Sequence, residues 1–184
     1  AKKICDKFSL KLCTFSLKKI KNPTLFDVSN RWLLNKSAKK LKATKIALAQ
    51  TLDDETESVF MDYIRGDVSR LARLDPVKGG APGLIRRIKP LRELSEKELG
   101  IYSKIKTIPV FAEKYPYSDK LRENIKKMLN QIEKKYPGSK LAILHATDRI
   151  LPFISHLKVK ENKKCRICKE PTSRDVCLFC EMKK

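Results

Sequence analysis

Four cysteines near the end of the chain carry its clearest chemical pattern. Cys165-x-x-Cys168 and Cys177-x-x-Cys180 form two knuckles with eight residues between them. Two thiolates on a tight loop can turn inward while a second pair swings opposite them to complete a tetrahedron. The spacing predicts a small zinc ribbon with Cys165, Cys168, Cys177 and Cys180 as ligands, a structural site because no ligand position is left open. Two disulfides are the alternative reading. The opening AKKICDKFSL offers no apolar leader with a cleavage site, and the flanks of the knuckles are basic, so metal is preferred. Iron also suits four thiolates.

Other residues could do chemistry with weaker spacing signals. Asp53 lies in QTLDD, where an apolar run gives way to a helical pattern. Ligands of open α/β sheets bind beyond the carboxyl ends of strands, so Asp53 is a candidate for nucleotide or magnesium contact. The residues alone favour a plainer role, in which Asp53, Asp54 and Glu55 complement the positive end of a helix dipole. Cys5 and Cys13 have lysines nearby, which favours a reactive thiolate and a sulfur-handling role; an inert, packed thiol is the more ordinary reading. His145 and His156 have no acidic or cysteine partner at metal spacing, and Tyr115, Tyr117 and Tyr136 read as packing residues. The glycine-rich loop 79–83 does not join a strand to a helix, which makes it a connector rather than a phosphate cradle.

The elements that must position these groups follow from periodicity. Trp32, Leu33, Leu34, Ala38 and Leu41 recur at helical spacing, with lysines on the other face. KIALAQ (45–50) reads as a buried strand, and Thr51 caps a helix that buries Val59, Phe60, Tyr63, Ile64, Val68 and Leu71, bending at Gly66. Helix, strand and helix in that order imply a parallel α/β sheet. Residues 84–91 are extended, SEKE (95–98) has the form of a capping box with Leu94 and Leu99 as its staple, and Tyr117 to Tyr136 mark a helix stopped by Pro137-Gly138. A further helix starts at Ser139 and is interrupted by Pro152. The division expected is a basic segment 1–29, a main body 30–157 and a ribbon 158–184.

Charge narrows the partners. The chain of 184 residues has 42 Lys and Arg against 21 Asp and Glu, a net +21 at neutral pH. Residues 1–45 carry +11 of it and residues 158–184 carry +5. A polyanion is the natural partner, bound through phosphates with a steep salt dependence; a generally lysine-rich proteome is the bland alternative. No run of eighteen apolar residues exists, so no membrane partner and a cytoplasmic location are expected.

Several blocks together resemble the TtuA and Ncs-type tRNA 2-thiouridine synthetases, of the PP-loop ATP-pyrophosphatase superfamily that includes the TtcA enzymes. They are RWLLNKSAKKL (31–41), KIALAQTLDDETESVFMDYIRGDVSRLAR (45–73), IRRIKPLRELSEKELGIYSKIK (85–106), EKYPYSDKLRENIKKMLNQIEKKYPG (113–138) and the terminal CRICKEPTSRDVCLFCEM. The resemblance implies a partial Rossmann-like PP-loop α/β domain, largely helical, closed by the ribbon. It also implies tRNA as partner and a family activity in which ATP makes a uridine oxygen a leaving group that sulfur replaces.

The departures from the family's pattern are equally specific. The family's SGGxDS pyrophosphate loop and N-terminal zinc finger have no counterpart, and the chain starts at about the family's second half. The first cluster pair falls on Cys13-Thr14-Phe15-Ser16, leaving one cysteine, and the third cluster position is Tyr115. One thiolate cannot hold a cubane, so an iron-sulfur cluster is not expected. Cys13 is left as the candidate sulfur ligand and Asp53 as the candidate nucleotide residue. ATP and magnesium would enter through a partner chain with the PP-loop, or through an intact paralogue. The function expected is therefore a tRNA-binding half-enzyme or non-catalytic partner in uridine 2-thiolation, inactive by itself. A stand-alone zinc-ribbon RNA-binding protein without ATP chemistry is the alternative, and a decaying gene fragment a third reading.

Overall fold

The computed structural model describes residues 2–15, 23–74, 77–78, 83–110, 120–157 and 163–182. After a short helix α1 (Lys2–Lys7), the long helix α2 (Pro23–Lys40) leads into strand β1 (Lys45–Ala47). Helix α3 (Leu52–Ile64) and the single turn α4 (Val68–Leu71) follow, then the short strands β2 (Val77–Lys78) and β3 (Arg86–Ile88). Helices α5 (Glu96–Ile105), α6 (Lys120–Lys135) and α7 (Ser139–Ile154) complete the body. The ribbon is built from β4 (Lys163–Lys164), β5 (Pro171–Thr172) and α8 (Leu178–Glu181).

The sheet has the order β1-β3-β2. β1 runs parallel to β3 with Ile46 opposite Arg87, and β2 is antiparallel to β3. The expected parallel α/β pairing is thus present, although β1 is shorter than the apolar run that encodes it. Leu48 still donates its N–H to Ile88 at 2.9 Å, so the chain stays extended to the point where α3 begins.

Local chemistry starts α3 where the sequence placed it. Thr51 Oγ1 accepts the Asp54 N–H at 3.2 Å and the Asp54 carboxylate accepts the Thr51 N–H at 3.0 Å, a reciprocal box that satisfies two helix-end donors. Removing the cap hydroxyl with Thr51→Ala is expected to cost about 1 kcal/mol. The measurement is a lower urea midpoint at unchanged slope; an unchanged midpoint would show that the cap is dispensable. The second box also forms, with Ser95 Oγ accepting the Glu98 N–H at 3.2 Å ahead of α5.

The faces of the helices differ from expectation. Tyr63, Ile64 and Val68 are exposed, while α3 buries Asp53, Glu55, Thr56, Glu57 and Asp62 beside Val59 and Met61. The apolar core instead gathers Met61, Ile125 and Leu129, with Phe60, Leu121 and Ile143 against them. Leu34, Leu41, Met128 and Tyr136 are exposed as well. Tertiary ion pairs, described below, explain how α3 can bury acids that periodicity would place in water. Pro152 does not stop α7, which runs on to Ile154, because the one hydrogen bond its ring deletes lies in the final turn. Gly66 (φ +63°) separates α3 from α4 instead of bending one continuous helix through to Leu71. Tyr115 and Tyr117 and most of the 79–83 loop lie outside the described residues. Among the described residues no helix is long and apolar enough to cross a membrane.

Candidate metal centre

Two tight loops bring the four ribbon cysteines together. Cys165 donates its N–H to the Glu170 carbonyl and Lys169 donates to that of Cys165, at 2.9 and 3.0 Å. Lys169 takes the left-handed φ of +61° that this turn requires. Cys177 caps α8, so Cys180 follows on its first turn, and their link is the Cys180 N–H to Cys177 carbonyl bond of 2.9 Å. The Sγ atoms of Cys165, Cys168, Cys177 and Cys180 all lie within 4.8 Å of one another, and those of Cys168 and Cys177 are 3.6 Å apart.

The electrostatics of this group suit a cation. Burial pushes the Cys165 thiol up, but N–H groups of Cys168, Cys177 and Ile167 outweigh it and bring the thiol down to about 6. Burial pushes Cys177 and Cys180 up, and the neighbouring sulfurs add to that effect. Four thiols this close cannot all ionise without positive charge among them, and a thiophilic metal centre supplies it. The donor set therefore fits a metal group.

The ribbon does not stand apart from the body. Trp32 of α2 stacks on Phe179 of α8 with ring centroids 4.2 Å apart, and Val28 and Trp32 pack against the buried cysteines. Glu170 sits between α2's Asn35 Nδ2 at 2.5 Å and Lys39 Nζ at 2.9 Å. Asn35 also accepts the Ile85 N–H at 2.9 Å and donates to the Gly83 carbonyl at 3.2 Å. One buried amide thus ties α2, the approach to β3 and the ribbon together. Sequence reasoning missed this joint: Asn35 lies among lysines with no spacing signal, and its partner is 135 residues away.

Asp53 is brought to a different, crowded corner. It is 5% exposed; its carboxylate pairs with Lys140 of α7 and accepts the Glu96 N–H of α5 at 2.7 Å. Lys140 also donates to Asn130 of α6 at 2.5 Å. Burial pushes Asp53 up, yet the Lys140 ammonium and the Glu96 N–H together hold its carboxyl below the ordinary 3.8. Beside it, Glu55 and Lys89 form a fully buried pair at 2.8 Å, and Arg92 clamps Asp148 at 2.7 and 2.8 Å. Arg122 of α6 reaches Glu57 at 2.7 Å. The acids at the head of α3 are therefore the joint between the sheet end and α5, α6 and α7. Lys140, Lys89 and Arg92 carry no local sequence signal for this role, because their partners are remote in sequence.

Cys13 lies half-buried in the extended stretch after α1, and Cys5 lies on α1. Among the described residues, the metal-capable group comprises the four ribbon cysteines and neither of these. His145 is 3.9 Å from Glu93 on the surface.

An α/β body with a parallel strand pair, covered by helices and carrying a docked four-thiolate ribbon, has the fold of a PP-loop thiolase. The U34-tRNA thiolase NcsA from Methanococcus maripaludis, solved with its [4Fe-4S] cluster, superposes with a TM-score of 0.78 at 26% identity, covering 97% of this chain and 61% of NcsA. No family model matches the chain. A probable sulfurtransferase from Methanocaldococcus jannaschii is 34% identical over 83% of this chain and 44% of its own length. The tRNA-5-methyluridine(54) 2-sulfurtransferase of Pyrococcus horikoshii is 30% identical over 84% of this chain and 50% of its own. The chain belongs to the tRNA 2-thiolation sulfurtransferase family of the TtuA and Ncs type. It spans about half the length of the curated relatives it matches.

These findings overturn the expected cofactors, zinc with an iron-sulfur cluster set aside. NcsA, whose fold covers nearly the whole chain, carries a [4Fe-4S] cluster, and four gathered cysteines are a donor set such clusters use. Cys13 is the one cysteine at the family's cluster positions, but the four ribbon thiolates offer a second donor set, and spacing alone does not separate one four-thiolate metal from another.

Proposed function

We propose that this chain is the RNA-binding and metal-bearing portion of a tRNA 2-thiolation enzyme, with tRNA as its substrate and ATP chemistry completed by a PP-loop outside the matched region. The observation that carries the reading is the match to tRNA-thiolating and sulfur-transferring relatives along more than four fifths of the chain. The net charge of +21 supports a polyanionic substrate. Asp53 acts by fixing the corner beyond β1, where a nucleotide would meet the head of α3. Cys13 is the thiol outside the ribbon proposed to receive sulfur. The proposed division keeps residues 30–157 as the RNA-binding body and 158–184 as the ribbon.

Cys165, Cys168, Cys177 and Cys180 would hold the metal group, and the [4Fe-4S] cluster of NcsA supports an iron-sulfur identity for it. Bound there, such a group would contribute charge neutralisation and cross-linking, since four protein ligands leave no position open. Iron and acid-labile sulfide are expected in the protein purified without oxygen; their absence from a metal-loaded ribbon would remove this identity.

The substrate reading is tested by tRNA binding. If six to ten phosphates are contacted, affinity for tRNA is expected to fall about 10³- to 10⁵-fold between 50 and 200 mM salt. A flat salt response, or equal affinity for a neutral polymer, would sink it. Thiouridine formation in tRNA, assayed with ATP and a PP-loop partner, then reads whether Cys13→Ser abolishes sulfur transfer.

A further inference from the structure

We propose that the cleft between α2 and the ribbon seats one unpaired nucleotide of a bound RNA. The inference rests on the tRNA reading above and names where on the chain, and through what part of the RNA, the two meet.

The cleft is a product of the joint between ribbon and body. α2 contributes Val28, Arg31, Trp32 and Asn35, the ribbon contributes residues 170–173 and 177–179, and Leu84 and Arg87 line it from the segment that forms β3. Its volume is about 150 Å³, and a cavity of about that size accepts a single aromatic ring. The walls are held in place from several sides. Trp32 stacks on Phe179 at 4.2 Å and carries the Lys36 ammonium over its ring at 4.7 Å. Gly83 takes a left-handed φ of +87°, and a Cβ there would come within 3.0 Å of Pro171 Cγ, so the ribbon is seated directly against the body at that point.

The occupant follows from the chemistry of the lining. Leu84, Leu178, Trp32 and Phe179 offer apolar contact to a base, and Arg31 and Arg87 bring two guanidinium groups to the same space. Arg87 Nη2 donates to the Arg31 carbonyl at 3.3 Å, which holds that guanidinium between β3 and α2. Glu170, the acid among the lining residues, is matched by Lys39 at 2.9 Å and by Asn35 at 2.5 Å, so it does not repel an anion. Guanidinium groups bind phosphate and stack on flat rings, and single-stranded RNA is gripped by unstacked bases set against such side chains. Room for one ring excludes a base-paired duplex. The net charge of +21 draws a polyanion to the chain, and the cleft gives that attraction a place where a base, and not only a phosphate, is held.

The test uses the full, metal-loaded chain of 184 residues. Trp32, the sole tryptophan, lines the cleft, so its emission is titrated with a short single-stranded oligouridylate, with uridine monophosphate, and with polyphosphate of matched charge. Saturable quenching by the oligouridylate is expected, with neither control producing it at the same concentration. Ser173→Phe fills the cleft from the exposed ribbon side without changing charge, and is expected to weaken oligouridylate binding at least about tenfold, the loss of one base contact, while polyphosphate binding is unchanged. Should that variant not fold, Arg31→Gln on the exposed face of α2 is expected to weaken the same binding and to lower its salt slope by about 1. Quenching by polyphosphate or uridine monophosphate equal to that by the oligouridylate, or wild-type affinity in a folded Ser173→Phe protein, overturns the proposal. The affinity for tRNA is read in parallel. Salt-sensitive tRNA binding that Ser173→Phe leaves intact removes the seat and keeps the substrate reading, whereas oligouridylate quenching without tRNA binding does the reverse.

Discussion

Replacing Cys165 by serine is expected to release the metal, undock the ribbon from α2 and shift the emission of Trp32 to the red. Cys165 is fully buried, its sulfur accepts the Cys177 N–H at 3.2 Å, and it lies at the centre of the cluster that Trp32 and Val28 cover. A metal group held by four thiolates ties its binding free energy to folding of the ribbon, which has only a few apolar contacts of its own. Without metal nothing ties the two knuckles to each other, and α8, which starts beside Cys177 and carries Phe179, loses its anchor. Trp32 is the only tryptophan in the chain and stacks on Phe179 at 4.2 Å, so its fluorescence reports this joint alone. Chelation of the wild-type protein should give the same red shift, while the far-ultraviolet signal of α3, α6 and α7 is largely retained. Unshifted Trp32 emission in metal-free protein would refute the coupling of metal to docking.

Lys140→Met is expected to destabilise the protein by about 3–5 kcal/mol at pH 7, because it leaves the Asp53 carboxylate buried without its ion partner. Lys140 and Asp53 are each 5% exposed, so water cannot take the ammonium's place. In the wild type the Asp53 carboxyl is held below 3.8. Its contribution is therefore complete above its unfolded value and is lost as pH falls through the lower folded value. In the variant, burial is opposed only by the Glu96 N–H and the more distant Lys126, so the carboxyl rises relative to the wild type and protonation costs the folded state less. The gap between variant and wild type should narrow from pH 7 to pH 4, and Asp53→Asn in the variant background should recover part of the loss. Urea titrations at both pH values provide the measurement. A loss under about 1 kcal/mol, or a gap independent of pH, would show that the pair contributes no more than an exposed one.

Local signals in the sequence proved reliable where the physics is local. The capping box at Thr51 and Asp54 and the one at Ser95 and Glu98 are satisfied within four residues, and both formed. The two knuckles carry their metal geometry in their own spacing, and the four sulfurs met. The strand at 45–50 and the extended segment near 86–88 were legible as apolar and extended runs, although only pairing decided which residues became β1 and β3.

Faces and partners were not legible in this way. Periodicity put Tyr63 and Ile64 inside, and the packing instead exposes both and buries Glu55 and Glu57. A buried acid is tolerable only when a cation reaches it, and here the cations, Lys89, Arg92, Arg122 and Lys140, come from 34 to 87 residues away. The same distance hid the ribbon's attachment through Asn35, Trp32 and Phe179. The identity of the metal was misjudged because four thiolates present the same ligands to different metals.

The sequence by itself determined the capped starts of α3 and α5, the four-thiolate donor set, the excess of positive charge and the kinship to tRNA thiolation proteins, since each depends on residue type and short-range order. Only the tertiary structure decided that the acids of α3 are ion-paired joints and that the ribbon is fastened to α2. Those outcomes depend on which distant groups share a desolvated space, and pairing free energy there exceeds any local preference.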